Sequence, residues 1–188
     1  IGDAKIVLRQ LIEEVKKQAG PTGRKDEIDI KTEIKKIKDE WLAEWMPLLT
    51  SNEIPINPYR IIWDLMNSVD RSQTIVTHDS GHPRDQTIPF YETTTPRGYL
   101  GWGNSSQLGY GLGIAMGAKL GAPEKFVVNI MGDAAIGMAG MDLETAARHK
   151  IPILTIVFNN HVLSGYSKNY PVATEKFGFT NLYGEYAD

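Results

Sequence analysis

The chain has 188 residues, of which 41% are hydrophobic and 23% are charged, and it carries a formal net charge of −3 at pH 7. This composition is typical of a soluble globular protein with a buried core, and the charge excludes a general electrostatic attraction to nucleic acid or to an anionic membrane. The chain contains no cysteine, which excludes a disulfide scaffold, a thiolate metal site and a cysteine nucleophile, and which fits a cytoplasmic protein. No apolar run approaches the roughly 20 residues that cross a bilayer.

The first part of the chain is predicted to form two helices separated by a polar turn. Asp3 has the position of an N-cap, and the first helix is expected to end near Gly20 and Pro21. Its apolar side comprises Ile6, Leu8, Leu11, Ile12 and Val15. The second helix lies in IKTEIKKIKDEWLAEWMPLL, with apolar residues at helical spacing, namely Ile30, Ile34, Ile37, Trp41 and Trp45. The polar segment PTGRKDEID between the helices indicates a domain boundary.

From Pro58 onward, apolar strands alternate with helices. The predicted strands lie in TIVTHDSG, KFVVNIM and IPILTIVF, and the predicted helices lie in PYRIIWDLMNSV, LGYGLGIAMGAKLGA and MDLETAARHK. Strands that are apolar on both faces and that alternate with helices are typical of a parallel sheet covered on both sides. The sequence therefore predicts an α/β fold with a doubly wound parallel sheet and helices on both faces.

Two oxygen-bearing side chains follow consecutive buried strands. Asp133 comes after KFVVNIM and Gly132, and Asn160 is the second of two amides that follow IPILTIVF. Because parallel strands joined by a crossover end at the same edge of a sheet, these side chains are expected to converge where ligands of open α/β sheets bind. Their hard oxygens suit Ca²⁺, or Mg²⁺ whose octahedron is completed by phosphates. Either residue alone is typical of a turn, but the pair favours a cation that bridges the protein to a phosphorylated ligand.

The motif GDAA followed by NN resembles the diphosphate-binding motif of enzymes that use thiamine diphosphate, also called thiamine pyrophosphate. The segment PRGYLGWGNSSQLGYGLGIAMGAKLGAPEKFVVNIMGDAA is similar to the matching segment of acetolactate synthases and related 2-keto-acid decarboxylases and carboligases. The resemblance implies a thiamine diphosphate-binding fold. It also implies three parts: residues 1–20 as the tail of a central domain, 21–57 as a linker with a helix, and 58–188 as the diphosphate-binding domain. On this interpretation the chain is a fragment that is incomplete at its C-terminus.

The resemblance assigns roles to individual residues. In the family the Asp and the second Asn of the motif bind Mg²⁺ together with a backbone carbonyl two residues later, which implies Asp133, Asn160 and Val162. A bulky apolar residue supports the bent cofactor and a nearby carbonyl accepts from its amino group, which implies Leu108 and Ser106. The implied cofactor-binding residues together are Ser80, Gly81, His82, Ser106, Gln107, Leu108, Gly132, Ala134, Ala135, Leu163 and Ser164.

The sequence departs from the family pattern at three places. His82 stands where relatives commonly have Gln, so its contact with the diphosphate would have a different geometry. Ala135 stands where many relatives have Ser, which leaves only a backbone N–H as donor at that position. The segment HVLSGYSKNYP after Asn160 carries an extra residue before Gly165, and this departure weakens the assignment of any single substrate.

The resemblance implies an enzyme that decarboxylates a 2-keto acid and then ligates or releases the resulting aldehyde unit, with acetolactate synthase as the first choice. No catalytic residue is expected in this chain, because the family's activating Glu belongs to a separate pyrimidine-binding domain of another subunit. The implied partners are therefore a second subunit, in a homodimer or homotetramer, and a small-molecule 2-keto acid. The implied cofactors are thiamine diphosphate and Mg²⁺, and FAD in the central domain is left open.

Three alternatives remain at this point. Thiamine diphosphate enzymes of the oxalyl-CoA, benzoylformate and sulfoacetaldehyde types share the same motifs. The chain could also be a non-catalytic fragment that dimerises or binds the cofactor. The third alternative is a dinucleotide-binding fold based on GYGLG at residues 109–113, which is a weak match because no clear strand precedes it.

Overall fold

The structure is a computed structural model that describes residues 2–21, 29–102 and 107–160. The chain divides into two compact units, Ile1–Pro47 and Leu48–Asp188. Across the described ranges, none of the helices has the length and apolar character needed to cross a membrane.

The first unit contains α1, Ala4–Ala19, and most of α2, Ile30–Leu49. Asp3 caps α1 as predicted, since its Oδ1 accepts from the Ile6 N–H at 3.0 Å. Asp29 does the same for α2, accepting from the N–H of Lys31 at 3.1 Å. The apolar sides of both helices are about half exposed, with Leu8 at 58% and Ile34 at 60%. Within the described residues, the amphipathic pattern of this unit specifies helices but no core.

The second unit alternates helices with strands, as the sequence predicts. Its helices are α3 Pro58–Ser68, α4 His82–Thr87, α5 Tyr110–Gly121, α6 Asp133–Ala139 and α7 Asp142–Arg148. Its strands are β1 Thr74–His78, β2 Tyr99–Leu100, β3 Phe126–Gly132 and β4 Leu154–Phe158.

The four strands form one parallel sheet in the order β2-β1-β3-β4. β1 pairs with β3 from Thr74↔Phe126 to His78↔Ile130, and β3 pairs with β4 from Val128↔Leu154 to Gly132↔Phe158. The two central strands, β1 and β3, are buried over almost their whole length, as expected for parallel strands that are covered on both faces. The parallel sheet with its helices confirms the predicted α/β class.

Helix α5 packs against the central strands through small residues that allow a close approach. Ala115 forms one core cluster with Ile75 and Val127. One turn earlier, Leu112 forms a second cluster with Met131 and Ala135. The second cluster therefore connects the start of α5 to the end of β3 and to α6.

Three short elements were not expected from the sequence: α4, β2 and α6. β2 has two residues, too few to show an alternating pattern, and α4 has six, too few to show helical periodicity. α6 begins at Asp133, directly after β3, because Gly132 is still extended with φ −85° and ψ 165°. Asp133 thus lies in the first turn of a helix and not in an extended loop.

Candidate functional site

The carboxyl edge of the sheet carries both predicted metal ligands. Gly132, the last residue of β3, is paired with Phe158, the last residue of β4. Asp133 therefore comes one residue after the ladder on one strand, and Asn160 comes two residues after it on the neighbouring strand. The Oδ1 atom of Asp133 accepts from the N–H of Ala134 at 2.8 Å, which orients the carboxylate at this edge.

The loop Ser80–His82, whose last residue begins α4, follows β1 and lies beside the end of β3. The Asp79 N–H donates to the Ile130 carbonyl at 2.7 Å, so the pairing of the two strands continues up to the loop. Gly81 has φ +78° and precedes α4. A Cβ atom on Gly132 would lie 3.9 Å from Pro83 Cγ, which places the start of α4 next to the predicted diphosphate segment. The structure thus brings the loop of β1 and the motif after β3 together.

Leu108 lies on the core cluster at the start of α5. Its side chain is partly buried and packs against the cluster of Leu112, Met131 and Ala135. Gly109 follows with φ +91°, and a Cβ atom there would lie 3.0 Å from the Cβ of Ala139 in α6. The segment that carries Leu108 is therefore packed on the helix that Asp133 begins, while the neighbouring Gln107 is exposed.

The remaining predicted site residues lie outside the described residues. They are Ser106, Val162, Leu163 and Ser164. Within the described ranges, no three His, Cys, Asp or Glu side chains are grouped so that they could hold a metal ion. A cation at Asp133 would therefore need ligands of other kinds, such as the Asn160 amide, a backbone carbonyl or phosphate oxygens.

Asp79 is a buried carboxylate that the sequence analysis did not single out. Its side chain is fully buried and accepts from the N–H groups of Ser80 at 2.8 Å and of Gly111 at 2.9 Å. The Gly109 N–H lies 3.1 Å from both carboxylate oxygens. No local spacing could have revealed these contacts, because Gly109 is 30 positions away along the chain.

The contacts of Asp79 also bear on the dinucleotide-binding alternative. In that fold the backbone N–H groups of the glycine-rich turn and the helix N-terminus bind phosphate. Here the N–H groups of Gly109 and Gly111 bind a protein carboxylate. A Cβ atom on Gly111 would lie 2.8 Å from Asn129 Oδ1, so this glycine allows α5 to pack closely on β3. The dinucleotide interpretation of GYGLG is therefore wrong.

His78, at the end of β1, is buried among aromatic rings beside this edge. Its ring stacks on Tyr99 with centroids 5.4 Å apart, and its Nδ1 donates to the Asp79 carbonyl at 3.0 Å. Burial lowers the pKa of His78 below the ordinary value of 6.5, and this effect exceeds the opposing effect of the bond to the Asp79 carbonyl. The ring is accordingly a neutral structural group at neutral pH.

The lowered pKa of His78 predicts a pH-dependent stability. Below pH 6.5 the unfolded chain binds a proton that the folded protein binds only at lower pH, so the free energy of unfolding should fall as the pH decreases through this window. One such proton gives a slope of at most about 1.4 kcal/mol per pH unit. Urea unfolding of the wild type and of His78→Gln at pH 7.5 and 5.5 measures the effect, and the variant is expected to lose less stability on acidification.

His82→Gln is the matched control for this measurement, because the His82 side chain is exposed. It should keep the pH dependence of the wild type. A His78→Gln variant with the same loss as the wild type would contradict the assignment.

Comparison with known proteins identifies the family. Residues 79–186 match the family described as thiamine pyrophosphate enzyme, C-terminal TPP binding domain. A probable acetolactate synthase large subunit of Methanococcus aeolicus is 30% identical over 172 residues, which are 87% of this chain and 28% of that protein. A 2-hydroxyacyl-CoA lyase of Arabidopsis thaliana is 29% identical over 91% of this chain and 30% of that protein. Acetolactate synthase isozyme 3 large subunit of Escherichia coli is 28% identical, with 87% of this chain and 28% of that protein covered.

The chain thus spans less than a third of the length of these relatives. The matched range begins at Asp79 and includes both Asp133 and Asn160. It therefore contains the three segments that the fold brings together at the carboxyl edge of the sheet. The chain belongs to the thiamine pyrophosphate enzyme family, and residues 79–186 are its C-terminal TPP-binding domain.

Proposed function

We propose that this chain binds thiamine diphosphate through Mg²⁺ as part of an acetolactate synthase-like enzyme. The observation that carries the proposal is the position of Asp133 and Asn160 directly after the paired ends of β3 and β4. This arrangement offers a carboxylate and an amide oxygen at one edge of a parallel sheet, where phosphorylated ligands of such sheets bind. The family match supplies the cofactor class.

The side chains at this edge fit a magnesium ion shared with a diphosphate. Both Asp133 and Asn160 supply oxygen, which Mg²⁺ prefers, and few protein ligands leave coordination positions for phosphate and water. The backbone carbonyl of Val162 is the third proposed protein ligand. A carboxylate held by the Ala134 N–H at 2.8 Å is already oriented at the edge, which reduces the entropy lost on metal binding.

The remaining proposed contacts come from the three segments at the edge and from a fourth segment after Asn160. Ser80, Gly81 and His82 approach the diphosphate from the loop after β1, and Gly132, Ala134 and Ala135 approach it from the start of α6. Ser106, Gln107 and Leu108 hold the aminopyrimidine side, and Leu163 and Ser164 add contacts beyond Asn160. Leu108 suits its role because its side chain is partly buried on the core cluster of Leu112, Met131 and Ala135, and a side chain fixed in this way can support a ring.

The proposed reaction is decarboxylation of a 2-keto acid followed by ligation or release of the aldehyde unit. Thiamine diphosphate, when bound, supplies the thiazolium ring that accepts the electrons of the breaking carbon–carbon bond. In this reaction the chain is proposed to anchor the diphosphate through Asp133 and Asn160 and to orient the rings through Leu108. The acid that activates the cofactor is proposed to come from a pyrimidine-binding domain of a second subunit, in a cytoplasmic homodimer or homotetramer. Any FAD is proposed to bind in a central domain.

A second candidate activity is cleavage of a 2-hydroxyacyl-CoA. A specific observation favours it: the 2-hydroxyacyl-CoA lyase of Arabidopsis thaliana matches 91% of this chain, slightly more than the 87% matched by the acetolactate synthases. Both activities use the same anchor for the cofactor. They differ in the substrate, which is a 2-keto acid for the synthase and a 2-hydroxyacyl-CoA for the lyase. Measurement of substrate turnover therefore distinguishes the two activities.

The test is calorimetric titration of thiamine diphosphate into the full-length protein, with Mg²⁺ and with EDTA in excess. Binding is expected with Mg²⁺ and is expected to be lost with EDTA. Release of carbon dioxide from pyruvate would then support the synthase activity, and cleavage of a 2-hydroxyacyl-CoA would support the lyase. A full-length protein that binds no thiamine diphosphate with Mg²⁺ present would overturn the proposed function.

A further inference from the structure

We propose that Asp79 is a positioning residue for the cofactor site, and that its carboxylate fixes the segment carrying Leu108 to the loop Ser80–His82. The inference rests on the proposed function and deepens it, because it assigns a role to a residue that does not itself touch the ligand. It predicts that the ring-binding and metal-binding halves of the site can be weakened separately.

One carboxylate holds two segments that lie far apart in the sequence. Oδ1 accepts from the Ser80 N–H at 2.8 Å and from the Gly109 N–H at 3.1 Å. Oδ2 accepts from the N–H groups of Gly109 at 3.1 Å and of Gly111 at 2.9 Å. The loop after β1 and the start of α5 are thereby joined through a single side chain at the end of β1.

The physical reason for the strength of this connection is burial. The Asp79 side chain has no exposed surface, and a buried carboxylate is stable only where N–H donors replace its lost water. Its position at the N-terminus of α5 adds the favourable interaction of a negative charge with the positive end of a helix. Since the carboxylate and its three backbone donors depend on each other, neither segment can shift without leaving a buried group unsatisfied.

The surroundings leave the carboxylate little freedom to move. A Cβ atom on Gly111 would lie 2.9 Å from Asp79 Oδ2, so backbone and carboxylate are in close contact on that side. Beneath them, the Thr77 hydroxyl donates to Asn129 Oδ1 at 3.0 Å, and both of these side chains are fully buried. This network joins β1, β3 and α5 directly under the proposed site.

The position of Leu108 follows from these contacts. Leu108 immediately precedes Gly109, whose N–H is held by both oxygens of Asp79. If the carboxylate is lost, the N–H groups of Gly109 and Gly111 lose their acceptor. The backbone at the start of α5 can then shift, and the Leu108 side chain no longer has a fixed position on the core cluster. Asp133 and Asn160 follow other strands, β3 and β4. The loop Ser80–His82 loses one bond at Ser80, but the backbone bond from the Asp79 N–H to the Ile130 carbonyl still ties it to β3. The metal and diphosphate half of the site should therefore be little affected.

Asp79→Asn is the variant that tests this separation in the full-length protein. The amide has the same shape, but its NH₂ group faces N–H donors, so it replaces attractive contacts with repulsive ones. The two probes are thiamine diphosphate and inorganic diphosphate, each titrated in the presence of Mg²⁺. We expect the Kd for thiamine diphosphate to rise at least about tenfold, which is 1.4 kcal/mol, and the Kd for inorganic diphosphate to change by less than about twofold.

Asp85→Asn is the matched control, because it makes the same chemical change at an exposed residue of α4 and should change neither Kd. If Asp79→Asn does not fold, Asp79→Glu keeps the charge and displaces the carboxylate, and the same selective loss is expected with a smaller amplitude. Equal weakening of both ligands, or no change in either, would overturn the positioning role. A wild-type protein that binds neither ligand would overturn the proposed function itself.

Discussion

Replacement of Asp133 by Asn is expected to reduce the Mg²⁺-dependent affinity for thiamine diphosphate at least about 100-fold. The reason is that Asp133 is the only proposed protein ligand of the metal with a formal negative charge. Loss of even a residue that orients a metal ligand costs about 10- to 100-fold. The folded structure should survive, because the amide oxygen can still accept from the Ala134 N–H that now bonds Oδ1 at 2.8 Å. The measurement is calorimetric titration of the full-length variant at a Mg²⁺ concentration that just saturates the wild type.

Two comparisons make this result specific to the metal. Asp142→Asn changes an exposed acid in the first turn of α7 and should leave the affinity unchanged. Raising the Mg²⁺ concentration should partly restore binding to Asp133→Asn, since a weakened metal site is filled again by mass action. An Asp133→Asn variant that binds the cofactor as tightly as the wild type would show that the carboxylate does not hold the metal.

The part of the site that could be predicted from the sequence is the part built at strand ends. KFVVNIM and IPILTIVF are apolar runs long enough to be recognised as buried strands, and parallel strands must end at the same edge. That argument requires no knowledge of α6 or of the exact register. It therefore correctly placed Asp133 and Asn160 just after the ends of neighbouring strands, although α6, which begins at Asp133, was not expected.

Tertiary contacts explain what the sequence could not show. Asp79 bonds the N–H groups of Gly109 and Gly111 across the start of α5, and a carboxylate that caps a helix from another element leaves no spacing rule in the sequence. The same glycines resembled part of a phosphate-binding fingerprint, since close packing of a helix on a sheet and close approach to phosphate both require glycine. Only the three-dimensional contacts distinguish the two uses.

The apolar sides of α1 and α2 show a different limit. Their periodicity predicted helices correctly, and the predicted cap at Asp3 is present, whereas the cap at Asp29 was not predicted. Periodicity also implies burial of the apolar side, but residues such as Leu8 and Ile34 remain more than half exposed in the described structure. The sequence pattern therefore specifies the local conformation of these helices, but it does not specify a surface that covers their apolar sides.

Gly111→Ala is expected to destabilise the second unit by about 3 kcal/mol. The added Cβ would lie 2.8 Å from Asn129 Oδ1 and 2.9 Å from Asp79 Oδ2, and all three residues are buried. Relief of the overlap requires either movement of α5 away from β3, at about 1–3 kcal/mol for overpacking, or rupture of a buried bond to Asp79, at a similar cost. For a protein of this size the loss corresponds to a fall in Tm of about 6–12 °C.

Gly113→Ala is the matched control on the same helix. A Cβ atom there meets nothing within 4 Å, so the substitution should stabilise α5 by up to about 1 kcal/mol through the higher helix propensity of Ala. Both variants replace a glycine of α5 by alanine, and they differ only in the atoms that the added methyl group meets. Thermal unfolding should therefore move in opposite directions for the two. Equal melting temperatures would mean that α5 does not lie against Asp79 and Asn129 as described, and the positioning role of Asp79 would lose its structural basis.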